Sequence, residues 1–425
     1  MLRRFSLYGF LKNQQYFEPF LVLAFLQMGL NYTLIGFLVA FREVTVNLLE
    51  IPTGGIADVY GRRKSMILSM AAYIVSFAVF GLVGMVAVGR GLRLVVLMPC
   101  LLLAMLCFAV GDAFRTGTHK AMIFTWLRSR GREAERTKVY GYTRSWSKLG
   151  SAVSVVLACV FVFVTSNYVY VFFFSIVPYV LNIVNFLGYP HEVDVGRERK
   201  RSVGEIVRHL KASLVLCMKR RGLRRLILES MGFEGFFKAT KDYLQPILKA
   251  AAVPLVAALF AGMRMTEQQK SVLLIGPVFF VLFVLSAVAS RRAHRLVALH
   301  GGEDRAAHKL WGWIALIFLG LLPAFWLRLH VAMILGFVLL YVMQNIWRPV
   351  LVSRFDAHGE EAKGATLLSV ESQAKSVSTM VIAPVLGAVI DLVKARGIGG
   401  SEFWPVGVLG LALAVGFWLS APRAS

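Results

Sequence analysis

Apolar residues run along this chain in long blocks, separated by short clusters of glycine and charge. A bilayer core of about 30 Å takes a helix of about 20 residues, and the chain holds about twelve blocks of that size. The pattern predicts spans over residues 5–28, 34–57, 66–88 and 94–126. A fifth span ends at the turn Thr165-Ser166-Asn167. Further spans are expected over 168–187, 226–248, 272–289, 310–327, 331–347, 365–392 and 403–419. Residues 250–265 are apolar as well and are expected as a tucked or re-entrant outside segment. The longest polar stretch, 191–225, divides the pattern in half. The expected fold class is therefore an all-α membrane protein of twelve transmembrane helices in two six-helix bundles, residues 1–190 and 226–425, joined by a basic cytoplasmic connector.

Composition agrees with this reading. The chain has 425 residues, of which 57% are hydrophobic and only 16% charged, far from a soluble protein's usage. The net charge of +24 changes the picture only through where it sits. Arg and Lys gather in alternate loops, as at Arg62–Lys64, Arg128–Lys138 and Arg291–Arg295, which is how positive charge fixes topology. With an even number of spans, both termini are expected in the cytoplasm, in a bacterial inner membrane. A nucleic-acid partner is not expected. Ile206, Leu210, Leu214 and Met218 recur at helical spacing within the connector, suggesting a surface helix whose bases meet anionic lipid. Cys100, Cys107, Cys159 and Cys217 form no C-x-x-C pair and read as small buried residues. Arg3-Arg4 leads into a run broken by Lys12, Asn13 and Glu18, so a cleavable leader is not expected.

The stretch after the second span reads Gly54-Gly55-Ile56-Ala57-Asp58-Val59-Tyr60-Gly61-Arg62-Arg63-Lys64. Its Gly-x-x-x-Asp-x-x-Gly-Arg-Arg spacing resembles the loop between the second and third helices of major facilitator superfamily transporters. Gly188-Tyr189-Pro190-His191-Glu192 resembles that family's ending of span six, and Gly364-Ala365-Thr366 its entrance to span eleven. The resemblance covers the whole chain. It implies a gating role for Gly54, Asp58, Gly61, Arg62 and Arg63, with the motif acid near the start of span eleven. There are departures. Val59 replaces a base, residues 290–295 lack the Asp-x-x-Gly frame, and Gly150-Ser151-Ala152 is not the antiporter pattern. Arg115 lacks the Gln-Gly that follows the family's span-four arginine, so a proton-coupling role carries over to it only weakly.

No catalytic constellation, nucleotide loop or His/Cys cluster is legible, so neither an enzyme nor a cofactor is expected. The informative residues are ionisable groups in apolar spans. Each costs a few kcal/mol at membrane depth unless it pairs or lines a cavity. Glu43, Asn47 and Glu50 share a face of span two, beside Arg42. Span four carries Asp112 and Arg115, and span seven Glu234, Lys238, Lys241 and Asp242 at helical spacing. Glu371 and Lys375 stand at i, i+4 on span eleven. Arg144, Lys148 and Arg348 have a second reading, as snorkelling side chains at the interface. Glu234 with Lys238, and Glu371 with Lys375, have one as local ion pairs. The function expected is a secondary transporter for a small solute, working by alternating access as a monomer, with protons as a candidate coupling ion. The alternative is a scaffold or sensor built on a transporter fold. Substrate identity is not legible.

Overall fold

The computed structural model describes every residue except 117, 133–134, 191–193, 195–214, 216–217, 358–363 and 421–425. Most of the connector, with its expected surface helix, therefore lies outside the described residues. Those described form helices and connecting turns, with no strand among them. The first eight helices are α1 (Leu2–Lys12), α2 (Leu21–Gln27), α3 (Tyr32–Tyr60), α4 (Arg62–Arg90), α5 (Leu94–Arg115), α6 (Thr118–Ser129), α7 (Arg136–Thr165) and α8 (Tyr170–Leu187). After the connector come α9 (Arg221–Ser230), α10 (Phe236–Thr240), α11 (Leu244–Leu259), α12 (Glu267–His300), α13 (Glu303–Trp326), α14 (His330–Ala357), α15 (Gly364–Arg396) and α16 (Trp404–Leu419). Among the described residues, ten stretches are long and apolar enough to cross a bilayer. Their outer faces carry bare apolar side chains such as Val95, 84% exposed, and Leu299, 81% exposed, a pattern that water would penalise and lipid tails favour. The chain is an integral, multi-pass membrane protein.

Three expected elements differ in shape. The first span is broken: Asn13 turns back to donate to the Gly9 carbonyl at 2.7 Å, and Pro19 opens a short tight turn, Glu18–Phe20, before α2. The fourth is parted between α5 and α6 at Thr116, whose hydroxyl donates to the Asp112 carbonyl. The seventh is longer than the apolar pattern suggests. It runs from Arg221 to Leu259 through a π-turn at Met231–Gly235 and a 3-10 turn at Lys241–Tyr243. Residues 250–259 are thus the far end of that span, with Pro254 inside the helix. The helix after it starts at a reciprocal cap, in which Gln269 N–H donates to Thr266 Oγ1 and Thr266 N–H to Gln269 Oε1.

The contacts divide the chain into two compact units, Met1–Gly29 with Phe41–Val207, and Leu30–Ala40 with Arg208–Ser425. In the first, α4 packs along α5 and α8, and α1 along α7 and α8. Its interior is aromatic: Tyr73, Phe77, Phe108 and Tyr179 meet with ring centroids 4.8–6.3 Å apart. In the second, α13 packs along α14 and α16, and α12 along α11 and α14. Trp311 stacks on Phe417 at 4.7 Å and meets Trp347 edge-on at 4.9 Å. The outer end of α3 belongs to this second unit. A Cβ on Gly36 would stand 2.3 Å from the Ala383 carbonyl oxygen, and one on Gly387 2.3 Å from that of Tyr32. Only glycine permits backbones so close.

Candidate functional site

In the second unit, α9, α14 and α15 and the π-turn bring four charged side chains together. Arg348 Nη1 donates to Glu234 Oε2 at 3.0 Å and to Glu371 Oε1 at 2.8 Å. Lys375 Nζ donates to the same Glu234 oxygen at 3.1 Å and lies 3.7 Å from Glu371 Oε1. Ser230 Oγ donates to Glu371 Oε1 as well. Glu234 is 4% exposed and Glu371 fully buried, so two carboxylates are balanced by two cations at membrane depth, as such burial requires. Glu234 Oε1 and Glu371 Oε2 accept no hydrogen bond from the described residues. Each carboxylate therefore keeps one oxygen on which a proton or a ligand donor can land.

Local structure explains how Glu234 reaches this position. It sits in the π-turn between Gly232 and Gly235, a distortion that inserts a residue and loosens backbone hydrogen bonds. The neighbouring α15 satisfies the loosened carbonyls. Ser378 Oγ donates to the Met231 carbonyl at 2.8 Å, and Thr379 Oγ1 to that of Gly235 at 3.0 Å. A Cβ on Gly235 would stand 2.6 Å from Ser378 Cβ, so glycine lets α15 close on the turn. Further along this span, Lys241 and Asp242 fall in the 3-10 turn Lys241–Tyr243. Lys241 and Asp242 meet each other at 3.3 Å, and Gln245 donates to Asp242.

A second network was not singled out from sequence. Glu229, 1% exposed, accepts from Arg225 Nε at 2.7 Å and from Arg354 Nη1, and Arg354 Nε donates to Asp304 at 2.7 Å. Arg225 also donates to the Phe417 and Ser420 carbonyls at the end of α16. The only sequence signal is Arg225 at i, i+4 from Glu229. Asp391 was missed too: it accepts from the Tyr32 and Thr33 backbone N–H groups at 3.1 and 2.7 Å and from Thr33 Oγ1. It thus caps the N-terminus of α3, where a carboxylate is favoured.

The first unit holds the other predicted residues. Arg42 Nη2 donates to Glu43 Oε1 at 2.9 Å, Glu43 being buried, and Arg42 lies 5.9 Å from the Phe108 ring centre. Arg115 Nη2 donates to Asp112 Oδ1 at 2.9 Å, and Tyr73 Oη donates to the same oxygen at 2.5 Å. Asn47 and Glu50 are half-buried on α3. In the motif, Gly61 has φ +101°, and a Cβ there would stand 2.6 Å from Asp194 Oδ1. That oxygen accepts from the Arg63 backbone N–H at 2.7 Å. The Arg63 guanidinium donates to the Leu187 and Tyr189 carbonyls, closing the end of α8. Arg62, almost buried, donates to Thr125 Oγ1 at 2.7 Å. The Gly54 and Asp58 backbones lie in the last turns of α3, and Asp58's side chain falls outside the described residues.

No protein-family model and no curated protein sequence matches this chain. Solved structures do. A point mutant of the nucleoside transporter NupG aligns with a TM-score of 0.77 at 12% identity, covering 99% of this chain and 98% of that one. A D-xylose-proton symporter aligns at 0.70 and 14% identity over 99% and 97%. A bacterial homologue of the iron transporter ferroportin, in its inward-facing state, aligns at 0.69 and 14% over 98% and 97%. Identities this low speak for the fold alone. The fold of this chain is that of the major facilitator transporters.

Proposed function

We propose that the chain is a secondary active transporter that moves a small solute across the bilayer by alternating access, with protons as the coupling ion. Ten candidate crossings, with the broken first segment and the shorter α16, make twelve. Six precede the 191–225 connector and six follow it, and both termini face the cytoplasm of a bacterial inner membrane. The solved structures of this fold include a nucleoside transporter, a xylose-proton symporter and a bacterial homologue of an iron transporter. So varied a set supports transport and leaves the solute to side chains particular to this chain.

The observation that carries the coupling is the Glu234–Arg348–Glu371–Lys375 network with its two unpartnered carboxylate oxygens. Protonating either carboxylate would break the balance of two acids and two bases and release a cation. Such a bistable arrangement is what a rocking transporter needs. Gly54, Asp58, Gly61, Arg62 and Arg63 would act as the inner gate, and Arg42, Glu43, Asn47, Glu50, Asp112 and Arg115 would line the solute path of the first unit. Lys238, Lys241 and Asp242 would do so in the second.

The test is proton movement into proteoliposomes loaded with a pH-sensitive dye, on addition of solutes from a metabolite panel. Wild type should carry protons with one solute class, and Glu234→Gln should still bind that class without moving protons. Solute uptake by wild type that ignores pH would remove the coupling and leave transport standing. Uptake of nothing by correctly inserted protein would sink the transport reading.

A further inference from the structure

Within the first unit, α1, α5, α6 and α7 line a half-open cavity of about 220 Å³ whose polar lining includes Lys12, Asn13, Arg115, His119, Lys120 and Arg144, with Lys120 and Arg144 exposed at its edge. No Asp or Glu is among its lining residues. Arg115 alone has a carboxylate at hand, Asp112 behind it at 2.9 Å. Lys120 lies over the rings of Phe124 and Tyr140, 5.6 and 5.5 Å from their centres. Among the described residues, Lys12 and Arg144 form no ion pair. The neutral groups carry no counter-charge: Asn13 and Thr143 donate to the carbonyls of Gly9 and Tyr140 and leave only uncharged oxygens as acceptors. His119 stacks against Tyr8 at 3.9 Å, walling one side.

Like charges crowded beside apolar walls repel one another strongly. Two arginine forks and two lysine ammoniums brought together from four helices are groups of the kind that hold carboxylate or phosphate oxygens. The volume falls below the roughly 300–1,000 Å³ of whole-ligand pockets, which suits a small anion or the charged end of a larger solute. We propose that this cavity is an oxyanion site, and that the transported solute carries a carboxylate or phosphate group bound there by Lys12, Arg115 and Arg144. The assignment of this anion to the solute rests on the transport reading above; the cavity's preference for oxyanions does not.

The experiment is calorimetric titration of the purified chain in phosphatidylcholine nanodiscs with inorganic phosphate, succinate and, as the neutral control, glycerol. Saturable binding of phosphate or succinate and none of glycerol is expected. Lys12→Gln with Arg144→Gln should weaken that binding at least tenfold, while Lys12→Arg should keep it within threefold, which separates charge from folding. Binding of neither anion by protein that elutes as a single folded peak overturns the site, as does tenfold-unchanged affinity in the double variant. In discs containing phosphatidylglycerol, unchanged affinity supports a soluble anion. Competition by that lipid overturns the solute assignment and makes a lipid headgroup the occupant. Anion binding without flux of that anion into proteoliposomes would overturn the transport reading alone. Flux of a solute that ignores Lys12 would overturn the cavity alone.

Discussion

The two units differ in how some of their cations are paired: Lys120 and Arg144 of the first are exposed and Lys12 half-buried, whereas Arg354 of the second is buried. In the second, Arg348, Arg354 and Lys375 each touch a carboxylate that is almost wholly buried. In the first, Lys12, Lys120 and Arg144 line one cavity together and none of them touches a carboxylate among the described residues. A balanced network is complete without a ligand and can hold the protein together. An unbalanced one is completed only by something that arrives. The contrast suggests a division of labour: the second unit stores a switchable set of ion pairs, and the first waits for an anion.

Substitutions that remove one charge at a time should break this comparison most sharply in the second unit. Arg354→Met leaves Glu229 buried with Arg225 alone, and losing one partner of a buried pair costs about 3–5 kcal/mol. A large fall in melting temperature is expected, with partial recovery when Glu229→Gln is added; an unchanged melt would mean the network holds nothing. The first unit's weak point should be steric. Gly61→Ala forces a side chain into positive φ and against Asp194, at about 1–3 kcal/mol, and Asp194→Ala should relieve only the contact portion. Asp391→Ala removes the acceptor of the Tyr32 and Thr33 N–H groups, while Asn31 still accepts from Leu34, and should cost about 0.5–2 kcal/mol, read in the same melts. Smallest of all, Lys12→Gln removes a cation that no carboxylate balances. Stability should stay within about 0.5 kcal/mol of wild type, or rise, because repulsion from Arg115 is relieved. A loss comparable to that of Arg354→Met would erase the distinction between the units.

Much of the fold was legible because membrane helices announce themselves by length and apolarity. The boundaries of α4, α8 and α16 fall within a few residues of the expected 66–88, 168–187 and 403–419. What escaped was local geometry set by contacts between helices. The seventh span was expected to end at 248, with 250–265 as a separate tucked segment, whereas the helix continues through a 3-10 turn to Leu259. Of the site, the acids were visible as charges in apolar runs and Lys375 as a neighbour of Glu371, but the pairs between distant helices were not. Arg348 has a plausible reading as a snorkelling side chain, yet it reaches Glu234 across 114 positions of sequence. Glu229 and Arg354 stand 125 positions apart and drew no reading from the sequence; only packing brings them into contact. The cation-rich cavity was hidden for the same reason, because Lys12, Arg115 and Arg144 come from three different helices.

The most direct test of the whole account is accumulation of labelled mono- and dicarboxylates and inorganic phosphate in proteoliposomes under an imposed pH gradient. Wild type should concentrate at least one of these anions above its equilibrium level. Lys12→Gln should lower its apparent affinity, and Glu234→Gln should let it equilibrate without accumulating. If correctly inserted wild-type protein concentrates none of them under a gradient of either sign, the division of labour between the two units is contradicted.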